Sequence, residues 1–137
     1  MPSTKIEVGF NRIARIQGLD DFARLLFPGN KNHQKVFILM FVEMKHAEGQ
    51  FLGSLSHLPR EHGISARTLE TVRAKCRRLG LIDHVCRFNG RHGYREGWVF
   101  SNRFERSLDQ LAQKWKTLLT TNAANQKRKE MACAEYL

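Results

Sequence analysis

A chain of 137 residues that is 42% hydrophobic can bury one sizeable core, which fits one domain with extensions and leaves two full domains cramped. Its 23 Lys and Arg against 13 Asp and Glu give a formal charge of +10, which selects a polyanionic partner over a basic one. The longest apolar run, Val36 to Val42, is far short of the roughly 20 residues of a bilayer span, and Met1 to Phe10 lacks a signal-peptide layout, so neither membrane insertion nor export is expected.

In residues 1–17, Ile6, Val8 and Phe10 alternate as in a strand and predict an extended arm. Leu19, Phe22, Ala23, Leu25 and Leu26 predict a short helix halted by Pro28-Gly29, either a lid on the core or part of a dimer surface. Residues 1–33 are thus an arm plus a short helix. From Gln34 to Ala47, Val36, Phe37, Leu39, Met40, Val42 and Met44 leave little polar circumference, and such a helix is buried. Gln50 to Leu52 is available as an extra strand.

Ser54 to Gly63 reads as a short helix carrying Leu55 and Leu58. Proline in a helix interior costs a hydrogen bond and a clash, so Ser56 is placed as the cap and Pro59 in the first turn. Only three or four residues then turn the chain before Ser65 caps the next helix, with Ile64 and Leu69 closing a hydrophobic staple. Leu69, Val72, Cys76 and Leu79 form one apolar stripe, and Gly80 supplies a left-handed stop. The opposite face carries Arg67, Thr71, Ala74 and Arg78, flanked by Lys75 and Arg77.

Leu81 to Phe88 reads as extended, followed by a glycine-rich tip from Asn89 to Gly97 and a return run from Trp98 to Phe100, which together predict a β-hairpin. Tyr94 and Trp98 are read as packing residues of that hairpin. From Asn102 a long helix carries Phe104, Leu108, Leu111, Ala112, Trp115, Leu118 and Leu119 on one stripe, more than one small domain covers. A homodimer through residues 102–120, with help from Leu19 to Leu26, follows as an expectation. Residues 121–137, polar and holding Lys127-Arg128-Lys129, read as a frayed extension or a flexible basic tail.

Helix, short helix, turn, long helix, Leu79-Gly80-Leu81-Ile82 and hairpin, with the pattern GIS…L…V…LGLI, resemble the winged helix-turn-helix superfamily over residues 34–101. The expected fold is mainly α with a small antiparallel β-hairpin, a winged helix-turn-helix with N- and C-terminal helical extensions. The resemblance implies that helix 65–79 enters the DNA major groove with Ser65, Arg67, Thr68, Thr71, Lys75 and Arg78 toward the duplex. It also implies that wing 87–97 meets backbone or minor groove through Arg87, Arg91, His92 and Arg95. Residues 54–100 hold nine Lys and Arg against four Asp and Glu, half of the surplus. The expected protein is a sequence-specific double-stranded DNA-binding regulator of transcription, cytoplasmic and nucleoid-associated when bound.

Two alternatives stay open: a plasmid or phage replication initiator or DNA-partition protein of the same fold, and a winged-helix protein-interaction module that binds no nucleic acid. After the second wing strand, ligand-responsive members often carry a leucine-threonine pair and a downstream glycine; here Phe100-Ser101-Asn102-Arg103 stands instead, so no small-molecule effector is assigned. Charged residues on an amphipathic helix are in themselves an ordinary solvated face, and only the preceding turn raises them above that. His84-Val85-Cys86, with Cys76 or His62, has no CxxC or HxxxH spacing, and no glycine-flanked serine, phosphate loop or carboxylate pair accompanies any histidine. No enzyme, metal or cofactor is expected. Cys76, Cys86 and Cys133 are odd in number and widely spaced, which predicts reduced thiols.

Overall fold

The computed structural model describes residues 5–89 and 93–137, with backbone alone at 87–89. Its elements run α1 (Phe10–Ala14), α2 (Leu19–Leu26), α3 (Lys31–Lys45), a 3-10 turn (Glu48–Gln50), β1 (Phe51–Leu52), α4 (Leu58–His62), α5 (Ala66–Leu79), β2 (Ile82–Asn89), β3 (Gly93–Phe100), α6 (Arg103–Thr120) and α7 (Gln126–Glu135). It is mainly helical with a small three-stranded antiparallel sheet. No helix among the described residues is long and apolar enough to cross a membrane. Two compact units divide the chain, Met1–Phe104 and Glu105–Leu137.

In the first unit, residues 5–9 of the expected arm have no regular structure, and residues 10–14 form the helical turn α1, in which the Ile13 amide donates to the Gly9 carbonyl at 2.9 Å. The helical turn satisfies its backbone groups locally. Val8 and Phe10 stay exposed, whereas Ile6 packs on the core. Asp20 and Asp21 favour the start of α2 electrostatically, and both pair with Arg24. This helix is a lid: Ala23, Leu25 and Leu26 are buried within the chain, so they offer a second copy no surface.

Asn30 caps α3 by accepting from the His33 amide at 3.0 Å. Val36, Phe37, Met40 and Met44 of α3 enter the core, but Val42 is exposed, so the helix is buried on one side rather than all round. At α4, Pro59 sits in the first turn, where its missing N–H costs nothing. The residue before that helix is His57, not Ser56; the Ser56 amide and hydroxyl both engage the Ser54 hydroxyl instead.

The sheet order is β1-β3-β2. Its main ladder pairs Ile82 with Phe100 through to Asn89 with Gly93, so the return strand begins at Gly93 rather than at Trp98. Tyr94, Arg95, Glu96 and Gly97, expected in the tip, are therefore strand residues. Gly97 is there for closeness, not for turning: a Cβ would lie 2.7 Å from the Leu52 carbonyl oxygen and 2.8 Å from the Phe51 ring. Gly90, Arg91 and His92 lie outside the described residues.

Arg103 closes the first unit at the start of α6. Its guanidinium donates to the Arg77 and Ile82 carbonyls at 3.1 and 3.3 Å and grips both oxygens of Asp83 at 2.5 and 3.4 Å. These bonds hold the Asp83 carboxyl below its ordinary pKa. Phe104 meets Phe22 edge-on, with ring centroids 6.3 Å apart.

The second unit holds the rest of α6, an 18-residue helix about 27 Å long. Its apolar stripe is bare: Leu111, Trp115, Leu118 and Leu119 are each at least 60% exposed. The segment read as a frayed extension or flexible basic tail contains α7. Its Gln, Lys, Arg, Glu, Met and Ala residues are strong helix formers, which outweighs the lack of an apolar stripe.

Candidate functional site

The start of α5 is fixed three ways. Gly63 turns the chain in the left-handed region at φ 63°, the Ser65 hydroxyl accepts from the Thr68 amide at 3.3 Å, and Ile64 and Leu69 are both buried as a staple. At the other end, Gly80 has φ 85°; its amide and that of Leu81 donate to the Arg77 and Cys76 carbonyls, a Schellman closure. Leu69, Val72 and Cys76 are buried against the core, which sets the rotation of the helix. Arg67, Thr71, Ala74 and Arg78 then fall in one row, with Arg67 and Arg78 exposed and roughly 16 Å apart along the axis. Ser65 is exposed, and Thr68 and Thr71 are half-buried.

Lys75 does not join that row. It is 3% exposed, with its ammonium donating to the Leu26 carbonyl and standing 4.8 Å from the centroid of the Phe27 ring. Leu26 ends α2, so its carbonyl lacks a donor within the helix, and the cation supplies one. Burial lowers the Lys75 pKa, and Arg78 nearby adds to the lowering. A contact between Lys75 and a partner on the open face is therefore corrected to an internal bond. Thr71 and Lys75 also line a cavity of about 420 Å³ with Phe27, Asn30 and His33. The neighbouring Cys76 thiol is pushed up to about 12 by burial and stays protonated.

On the hairpin, Arg95 is exposed, and its guanidinium lies 5.0 Å from the Phe51 ring centroid. Arg87 is opposite Arg95 in the ladder; the Arg87 side chain, and all of Arg91 and His92, lie outside the described residues. Trp98 is buried, as expected of a packing residue, between the Arg73 guanidinium at 4.8 Å and the His84 ring at 4.7 Å. Tyr94 is not packed: it is 63% exposed, and a hydrogen bond with the Cys86 thiol pushes its hydroxyl up to about 12.

The structure thus brings Ser65, Arg67, Thr68, Thr71 and Arg78 onto one helix, removes Lys75 to the interior and puts Arg95 on the strand rather than the loop. Guanidinium donors in a row on a capped, core-anchored helix can bind phosphate or base edges without first ordering their scaffold. The sequence reading missed Arg73, which stacks on Trp98, and Arg103, which ties the end of α5 to β2. No local spacing announces either one, because their partners are distant in sequence. No family model, curated protein or solved structure matches the chain.

Proposed function

We propose that the protein is a sequence-specific double-stranded DNA-binding protein of the winged helix-turn-helix kind, a regulator of transcription. The observation that carries the reading is α5 itself. It follows α4 across a turn at Gly63, buries its stripe, and holds Arg67 and Arg78 out along one exposed row of a chain with charge +10. In this reading α5 enters the major groove, where Arg reads guanine edges bidentately, while Arg95 meets phosphate from the wing. The bare stripe of α6 supports a second element of the reading, a homodimer that spans two half-sites about 34 to 36 Å apart.

The test starts from duplexes selected by the protein out of a random pool. Arg67→Ala should cost about 1 to 3 kcal/mol on the selected site and much less on random duplex, so specificity falls. Arg95→Ala should weaken both alike and lower the salt slope by about one. A cognate-to-random ratio that Arg67→Ala leaves intact would remove α5 as the reader.

A further inference from the structure

On the side of α4 that faces α3, two imidazoles and two carboxylates gather. Glu43, on α3, holds its carboxylate between His57 and His62: His57 Nε2 is 3.6 Å from one oxygen, and His62 Nε2 is 3.9 Å from the other. Glu61 completes the group, since one ligand atom each of Glu43, Glu61 and His62 lie within 4.8 Å of one another. Both His–Glu separations exceed the 2.7 to 3.2 Å or so of a hydrogen bond. His62 Nε2 is nevertheless buried and has no hydrogen-bond partner among the described residues. A buried ring nitrogen left unbonded is costly and calls for an explanation.

We propose that Glu43, Glu61 and His62 form a binding site for a first-row divalent transition metal such as zinc. Zinc holds nitrogen and oxygen ligands at about 2.0 to 2.2 Å, so neighbouring ligands of a tetrahedral site stand about 3.4 Å apart. The Glu43–His62 separation of 3.9 Å is about half an ångström above that edge length, and the exposed Glu61 side chain, whose ligand atom lies within 4.8 Å of the other two, has the rotamer freedom to close the face. A mixed imidazole and carboxylate set selects zinc and its neighbours over magnesium or calcium. Three protein ligands leave the fourth position to water. His57 stands 3.6 Å from the second oxygen of Glu43, so that a slight turn of the carboxylate toward the metal would bring it into the role of an outer partner that orients a ligand.

The site ties α3 to the last two residues of α4, directly before the Gly63 turn that launches α5. Metal at this point stiffens that turn. Local spacing does not announce the set: of its members only His62 was weighed as a ligand, and then beside His84 and Cys86, because the carboxylate of Glu43 comes from a separate helix.

The experiment is calorimetric titration of zinc chloride into the untagged full chain carrying Cys86→Ser and Cys133→Ser, which removes the two exposed thiols. One zinc should bind per chain and raise the melting temperature, as a ligand of the folded state does. His62→Ala should abolish binding, and Glu61→Gln, at an exposed position that leaves the fold intact by circular dichroism, should weaken it at least about tenfold. His57→Ala should weaken it about 10- to 100-fold as an outer partner. His84→Ala, whose imidazole pairs with Glu96 on the sheet, should change nothing. Cobalt in place of zinc should give the intense visible absorption of a tetrahedral centre. An absence of binding overturns the proposal, as does zinc binding that survives Glu61→Gln and His62→Ala unchanged. None of these readouts involves DNA, so failure of the metal proposal leaves the proposed function standing, and the reverse.

Discussion

Helices α5 and α6 carry the same kind of apolar stripe and meet opposite fates. Leu69, Val72 and Cys76 on α5 are 6%, 0% and 0% exposed, whereas Leu108, Leu111, Trp115, Leu118 and Leu119 on α6 are 41% to 66% exposed. Spacing at three and four residues says that a helix has an apolar face, but not what covers it. For α5 the cover is local: capped ends and a tight turn from α4 fold it back onto α3. For α6 the stripe stays exposed, and a second copy is the occupant the proposed dimer names.

The largest expected effect sharpens that contrast. Leu69→Ala should lower stability by about 2 to 4 kcal/mol in urea unfolding, the cost of a cavity in a packed core. Leu118→Ala should change unfolding by less than about 0.5 kcal/mol at concentrations where the chain is monomeric. Light scattering at micromolar concentration should read twice 15.9 kDa for the native chain and 15.9 kDa once Trp115 and Leu118 are both replaced by Ala. A native monomer mass would mean that the bare stripe is no dimer surface.

The next effect lies where α5 ends and α6 begins. Arg103→Ala removes a two-point grip on Asp83 and donors to two carbonyls; with both side chains partly exposed, the cost should be about 1 to 2 kcal/mol. The sign of the pH effect follows from the lowered Asp83 pKa, whose largest cause is the hydrogen bond from Arg103. Stability from this pair is present above the ordinary value of 3.8 and lost as pH falls through the folded value. Melting temperatures of Arg103→Ala and native chains should therefore converge on acidification below pH 3.8. Parallel curves would assign the loss to the carbonyl bonds alone.

What could be read in the sequence follows the same division between near and far. Ser65, Gly63 and Gly80 act on backbone within four residues, and their roles in starting and stopping α5 were legible. Pro59 was legible for the same reason, although the cap beside it was misassigned because Ser56 found Ser54 first. Gly97 was misread as a loop glycine because its purpose is the close passage of β1, far away in sequence. Of the residues proposed for the DNA face, Arg67 and Arg78 follow from helical periodicity alone. Lys75 does not, since only the open carbonyl at the end of α2 reveals why a charged side chain turns inward. The proposed metal site is the extreme case, since Glu43 meets Glu61 and His62 only where α3 comes beside α4.

The smallest effect tests that inward lysine. Lys75→Met keeps the length of the side chain and its packing on Phe27 but removes both the buried charge and the bond to the Leu26 carbonyl. These losses oppose each other, so stability at neutral pH should stay within about 1 kcal/mol of the native chain. The pH dependence carries the discrimination. Burial lowers the folded pKa below the ordinary 10.5, so between the two values the unfolded chain binds more protons than the folded one. Stability of the native chain relative to Lys75→Met should accordingly rise with pH through that window, the penalty for the charge being complete below it. The difference between the two melting curves against pH isolates this residue from every other titrating group. A difference that stays flat up to pH 10.5 would mean that Lys75 is hydrated in solution, and would return its ammonium to the open face beside Arg78.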